Sequence, residues 1–200
     1  MGNAPMRRTQ EERTGATTAA IVDAARQLFA HDGYESTSLE AVAAATGVSK
    51  GAVYHHFDGK RQLFAAVFAR EVERMAGPVT EAYARKRDPW DAFKAGCRAF
   101  LDECLDPDVQ RIVVLDAFAA IGWEESRRLE APLLEMMEVG IARAAEAGRI
   151  ASRPSGPLAH FLFGALCETA MTVARSDDVK VAHRHAITEI NRILTGLEKT

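Results

Sequence analysis

Residues 50–57 read Lys-Gly-Ala-Val-Tyr-His-His-Phe and put two kinds of side chain on two sides of one short helix. Val53 and Phe57, four apart, share a side, while Lys50, Gly51, Tyr54 and His55 fall on the other. A cation, a glycine, a phenol and an imidazole are poor material for a core. They suit a groove lined with phosphates and base edges. Lys50 and Ala52 stand near the end of such a helix that meets bases, and Gly51 lets the backbone come close to a duplex. Tyr54 and His55 can donate to phosphate oxygens. Lys60 adds its charge to the positive end of the helix that follows, an arrangement suited to holding a phosphate. The residues alone leave open a plain packing role for this corner.

Other reactive residues do not assemble into a catalytic set. The chain has no G-x-S-x-G, no H-E-x-x-H and no phosphate loop; Gly59-Lys60 is followed by Arg61 and lacks the upstream glycine. His55-His56 and His183-x-His185 have no further ligands nearby in sequence, so neither a metal nor a cofactor is expected, and an enzyme is not. Cys97, Cys104 and Cys167 are odd in number and lack C-x-x-C spacing, which reads as small buried apolar residues. The net charge is -3, and in residues 1–60 seven acids face six lysines and arginines. Contact with DNA would rest on where cations are placed and not on a bulk positive field. The most apolar stretch, 157–174, contains His160 and Glu168 and reads as a buried helix instead of a membrane span. Residues 1–13 are polar and lack the apolar centre of a secretion signal, so the expected location is the cytoplasm.

These residues need elements to hold them, and the spacing is helical almost throughout. Residues 1–14 are expected to form a flexible arm. Ile21, Ala25, Leu28 and Phe29 make one apolar stripe on a helix over 17–31, and Gly33 stops it. Thr37-Ser38-Leu39-Glu40 reads as a capping box in which Thr37 caps and Glu40 reaches back. The helix that follows runs to about residue 45; Gly47 ends it and Ser49 caps the next, which stops near Phe57. A fourth helix, 60–75, is expected to end before Gly77-Pro78. Longer helices follow over 89–104, 107–121, 124–147, 157–175 and 179–197, with Pro132 kinking or splitting the third of them. The fold class is all-α, about nine helices in two parts joined through the fourth.

The run Gly-Tyr-(x)2-Thr-Ser-(x)3-Val-(x)4-Gly-Val-Ser-(x)-Gly-(x)-Val-Tyr-(x)-His-Phe-(x)2-Lys-(x)2-Leu, from Gly33 to Leu63, resembles the signature of tetracycline-repressor-like (TetR) regulators. Ser38 stands where threonine is common, and Gly59 where a polar cap is. The resemblance implies a three-helix helix-turn-helix DNA-binding domain over 15–75 and a helical effector-binding and dimerisation domain over 76–200. It implies a homodimeric repressor released from operator DNA by a small molecule. By it, Thr37 and Ser38 open the first motif helix beside a phosphate, residues around Lys50 to Ala52 read bases, and Tyr54, His55 and Lys60 hold the backbone. With Ser49 as cap, the candidate DNA-contacting set is Thr37, Ser38, Ser49, Lys50, Gly51, Ala52, Tyr54, His55 and Lys60.

In the second half, His183, Ile187, Ile190, Leu194 and Leu197 recur at a spacing of four and three, a seam narrow enough for a partner helix. The preceding helix, with Phe161, is apolar nearly all round and needs cover on several sides. Together they suit a four-helix bundle across two subunits; an internal core seam is the alternative. Trp90, Phe93, Cys97, Phe100, Phe118, Trp123, Met136 and Met137 are of the types that line cavities for flat or greasy ligands, and equally of the types that fill cores. Arg111, Glu168 and Thr172 are polar positions in apolar surroundings, able to orient a ligand. The effector expected is hydrophobic. A helical protein-interaction module without DNA binding is the rival reading.

Overall fold

The structure is a computed structural model that describes the backbone of residues 10–199 and the side chains of 14–199. Helix α1 (Gln10–Ser36) buries Ile21, Val22, Ala25 and Phe29 along one stripe. Gly33, at φ 80° and ψ 169°, breaks it one turn before its end, a conformation that β-carbons disfavour. Residues 10–14, expected within a flexible arm, are helical; residues 1–9 of that arm lie outside the described residues.

Ser38 caps α2 (Leu39–Thr46), its hydroxyl accepting from the Ala41 N–H, and Gly47 closes the helix with φ 71°. Ser49 caps α3 (Lys50–His56) in the same way through Ala52. Two serine caps and one left-handed glycine thus fix the corner between α2 and α3. Val53 and Phe57 close it from inside, buried with Leu39 and Val42. Each such side chain contributes about 1.5–3 kcal/mol by leaving water.

Helix α4 (Lys60–Ala84) does not stop at Gly77-Pro78 but runs through them. Both residues are exposed, so water can serve the carbonyl that the proline leaves without a partner. The stripe Val72, Met75, Val79, Tyr83 continues at helical spacing and packs on α5 (Pro89–Glu103), which Asp88 caps.

Helix α6 has three parts: Pro107–Val109, a π-helical stretch Gln110–Asp116, and Ala117–Ala120. Then come α7 (Trp123–Leu129), α8 (Ala131–Glu146), α9 (Ser155–Ala174) and α10 (Val179–Thr195). The expected break at Pro132 is present, with the proline in the first turn of α8. Among the described residues there is no strand, only an isolated bridge between Ile150 and Glu198. Helix α9 has the length and composition to cross a membrane, but Ala159, Leu162, Phe163, Leu166 and Ala170 are buried against the rest of the chain.

One apolar core runs from Ile21 through Leu194. The first three helices are held to the rest by polar contacts also. Arg26 of α1 bonds Glu71 of α4 (2.6 Å) and Asp108 of α6 (2.9 Å), and the Tyr34 N–H donates to Asp116 (2.8 Å). Arg61 of α4 donates to the Ile121 carbonyl at the end of α6 (2.5 Å).

Candidate nucleic-acid interface and ligand cavity

With Val53 and Phe57 buried, α3 has one orientation available, and Lys50, Gly51, Tyr54 and His55 are all exposed. The Lys50 side chain is 60% exposed; its Nζ lies 2.5 Å from Glu40 of α2 and 5.6 Å from the centre of the Tyr54 ring. The pairing pulls the Glu40 carboxyl below its ordinary range and pushes Lys50 up. An ion pair this exposed holds the ammonium loosely, and a phosphate can replace the carboxylate. A Cβ on Gly51 would meet nothing nearer than the Ser49 hydroxyl at 4.0 Å. Nothing in the chain itself demands glycine there, whereas a surface approaching from outside would. Ser38 and Ser49 accept backbone N–H groups with their oxygens and keep their hydroxyl hydrogens free to donate outward. Ala52 is half-buried. His56, beside His55, turns back to Thr18 of α1 (3.1 Å).

Two residues of the expected set sit differently. Thr37 is buried at 4% exposure and its hydroxyl donates to the Gly33 carbonyl (2.8 Å). It ties off the end of α1; Ser38 is the cap, and Thr37 does not face a phosphate. Lys60 donates to the carbonyls of Tyr34 (2.8 Å) and Glu35 (3.1 Å) and lies 4.4 Å from the centre of the Tyr34 ring. Its charge serves the C-terminal end of α1, where the helix dipole favours a cation, and not an outward clamp.

A cavity of about 600 Å³ opens between α4, α5, α8 and α9. Of the residues proposed from the sequence for a pocket, Phe93, Cys97, Phe100, Met136 and Met137 border this cavity. The other expected lining residues stand elsewhere. Trp90 is fully buried core, stacked on Phe93 at 4.9 Å, its indole N–H donating to the Leu194 carbonyl (3.1 Å). Arg111 pairs with Asp116 and covers Gly33. Phe118 and Trp123 lie on the surface at the α6–α7 corner, and Thr172 and Glu168 on the outer side of α9. Sequence reasoning missed Val79, Thr80 and Tyr83 because it ended α4 too early, and it missed Gly140 and Arg143 of α8. The signal for the first three was the unbroken Val72, Met75, Val79, Tyr83 spacing.

The seam on α10 is also internal. Ile187 and Leu194 are buried, Ile190 and Leu197 pack against the core, and His183 lies 3.0 Å from Asp102 of α5. The stripe meets α5 and α9 of its own chain. Phe161, 69% exposed, and Ile193, 56% exposed, are the large apolar side chains that α9 and α10 turn outward.

Burial pushes the Cys97 thiol up to about 12 and Cys167 up to about 11, which keeps both protonated. Burial also raises Glu130, against the pull of Arg127 at 3.0 Å. No group of three or more His, Cys, Asp or Glu side chains among the described residues is placed to hold a metal ion.

Comparison with known proteins bears on both halves. Residues 21–67 match the family described as bacterial regulatory proteins, tetR family, and residues 90–197 match the tetracyclin repressor-like C-terminal domain. The chain is 28% identical over 120 residues to the transposon Tn10 TetC protein of Escherichia coli, a match covering 60% of each chain. The chain therefore aligns with less than two thirds of that relative's length. A TetR-family transcriptional regulator from Pectobacterium atrosepticum superposes with a TM-score of 0.85 at 30% identity, covering 96% of this chain and 99% of that one. The fold is shared with the regulator FadR from Bacillus subtilis in complex with stearoyl-CoA, at 16% identity and a TM-score of 0.71, over 88% of this chain and 97% of that one.

Proposed function

Because the chain belongs to the TetR family, a family of transcriptional regulators and not of enzymes, we propose that it is a homodimeric repressor released from its operator by a small apolar effector. In this reading residues 15–75 grip DNA and residues 76–200 pair with a second copy and hold the effector, with α4 crossing the boundary. Residues 1–14 precede the gripping part, and the protein works in the cytoplasm.

One observation carries the reading: α3 turns Lys50, Gly51, Tyr54 and His55 outward while Val53 and Phe57 lock its other side. Lys50 and Ala52 would meet base edges, the Lys50 ammonium also neutralising an adjacent phosphate, and Ser38, Ser49, Tyr54 and His55 would donate to phosphates. Thr37 and Lys60 support α1 beneath them. For pairing, the exposed line Phe161, Ala165, Glu168, Thr172 on α9 and Ile193 on α10 take the place of the buried α10 seam. Two copies would set their α3 helices about 34–36 Å apart, one turn of DNA.

The cavity supplies the release. Its α4 wall, Val79 and Tyr83, belongs to the same helix whose first turn holds α1 through Lys60 and α6 through Arg61. An effector that prefers a shifted α4 would move α3 out of register, and can weaken DNA binding only by that preference. The stearoyl-CoA bound to the Bacillus FadR, which shares the fold, favours a ligand with a long apolar part.

The test is selection of duplexes from a random pool by the full-length protein, then footprinting. A protected, dyad-symmetric site that Lys50→Ala and Tyr54→Ala each weaken supports the proposal. Failure to enrich any sequence, or binding untouched by both changes, overturns it.

A further inference from the structure

The cavity is apolar over most of its wall, with Phe93, Phe100, Phe163, Met136 and Leu166 forming its body. Two charged side chains touch it, Glu135 and Arg143, both from α8. At 1.5 Å and 100° per residue, they stand about 12 Å apart along the helix and about 80° apart around it. Gly140 marks the inward direction, since a Cβ there would meet Phe93 at 3.0 Å and Tyr83 at 3.4 Å. Arg143 is turned about 60° from Gly140, and Glu135 about 140° in the same sense. Arg143, itself exposed, is therefore the charge nearer the inward direction, at the cavity edge one turn along α8 from Gly140. Glu135 belongs to the outer rim.

Arg143 makes no ion pair or hydrogen bond with any described residue, and neither does the Tyr83 hydroxyl. Arg127 and Arg149, by contrast, are matched to Glu130 at 3.0 Å and Asp88 at 2.7 Å. An unmatched guanidinium and an unmatched phenol at one end of an apolar chamber are complementary to one kind of molecule.

We propose that the cavity takes an amphiphile with a single carboxylate head, held by Arg143 with the Tyr83 hydroxyl, and an apolar body extending toward Phe100 and Phe163. The inference rests on the reading of this cavity as the effector site. A guanidinium offers a carboxylate two parallel N–H donors, and a phenol adds a third. The lining has one unpaired cation, which matches one negative charge. A head bearing several phosphates would leave most of its charge unanswered. The volume lies within the range of cavities that enclose small ligands.

Arg143 also sits in the last turn of α8, where a cation complements the helix dipole. That role alone would give no preference among ligand heads, so head-group preference is the readout. Calorimetric titration of the full-length protein uses decanoate, 1-decanol and decyltrimethylammonium, each below its aggregation limit. Decanoate should bind about fivefold or more tighter than decanol, the size expected of a charge pair at a partly exposed rim. The ammonium should bind weakest. Arg143→Gln should bring the decanoate-to-decanol ratio to about one and leave decanol binding unchanged. Equal affinities in the wild-type protein, or a preference that survives Arg143→Gln, overturns the head-group assignment. In that case loss of all binding in the cavity-filling variant Cys97→Trp, with helix content retained, leaves the cavity reading standing. Absence of binding by all three probes overturns both.

Discussion

Replacing Lys60 by alanine separates two jobs that a lysine at the start of α4 can do. In the structure its ammonium donates to the Tyr34 and Glu35 carbonyls, at 2.8 and 3.1 Å, and lies 4.4 Å from the centre of the Tyr34 ring. A hydrogen bond to a charged group is worth about 1.5–3 kcal/mol when buried, and a cation–π contact about 0.5–1 kcal/mol. The side chain is half-exposed, so solvent reduces both, and a total near 2 kcal/mol is expected. With a urea m-value of about 2 kcal/mol/M, the unfolding midpoint falls by about 1 M at fixed protein concentration. On DNA, Lys60→Ala should weaken binding with the slope of log affinity against log salt unchanged, because no phosphate contact is lost. Lys50→Ala should do the reverse. Its pair with Glu40 is exposed, so stability holds, while the slope becomes shallower by about 0.9 per phosphate, or about 1.8 for a dimer. Both series run from 50 to 200 mM salt on one selected duplex. An unchanged urea midpoint for Lys60→Ala, with a slope as shallow as that of Lys50→Ala, would refute the internal role of Lys60.

Three further outcomes follow from the geometry. Phe161→Glu should lower self-association in analytical ultracentrifugation and leave helix content intact, whereas Ile187→Glu, on the buried seam, should lose helix content by circular dichroism. Gly140→Ala gains about 1 kcal/mol of helix propensity but presses on Phe93, which yields into the cavity; stability by urea titration should change little while decanol affinity falls. Burial raises the Glu130 carboxyl, so the folded protein holds this proton more tightly than the unfolded chain does. The resulting stability is complete below the ordinary carboxylate range and is lost as pH rises through the raised value. Urea titrations at pH 4 to 7 should show the wild type losing stability relative to Glu130→Gln as pH rises, and a parallel pair of curves would refute the assignment.

The helix-turn-helix was legible because its local chemistry is decisive. A left-handed glycine at 47, a serine cap at 49 and two inward side chains at 53 and 57 leave α3 no other outward face. The capping box was placed one residue early for an equally local reason: Thr37 and Ser38 have the same donor and acceptor, and only the bond from Thr37 back to Gly33 decides between them. Lys60 was misread because the end of α1, its partner, lies 25 residues away and sequence spacing does not bring the two together. The second half was legible as helices and not as faces. Periodicity reports which side of a helix is apolar, and is silent about what covers it. Ile187 and Leu194 satisfy a coiled-coil spacing against α5 and α9 of their own chain as well as they would against a second copy.

The misplaced end of α4 matters most for how the two halves communicate. A helix ending at Met75 would belong to the DNA-gripping part, and the cavity would be built without it. A helix running on to Ala84 is one body from Lys60 at its start to Tyr83 in the cavity wall. Its first turn is clamped on both sides, by Lys60 to the end of α1 and by Arg61 to the Ile121 carbonyl at the end of α6. Further along, Arg26 and Arg74 converge on Glu71, whose side chain is 2% exposed. Packed interiors switch between arrangements more readily than they stretch, so pressure on Val79 or Tyr83 is carried along α4 as a shift of the whole helix. On the proposed reading, Gly77 and Pro78 set the limit of that stiffness. They lie between the clamped part and the cavity wall, where the proline removes one hydrogen bond from the ladder. Filling the Gly77 position with alanine stiffens the joint without touching the cavity or α3, since a Cβ there meets nothing within 4 Å. By linkage, any change in how strongly effector displaces DNA must then appear equally in how strongly DNA displaces effector. A coupling factor in the Gly77→Ala protein equal to that of the wild type, measured at equilibrium on one duplex and one effector, would mean that the Gly77-Pro78 joint of α4 does not govern the coupling.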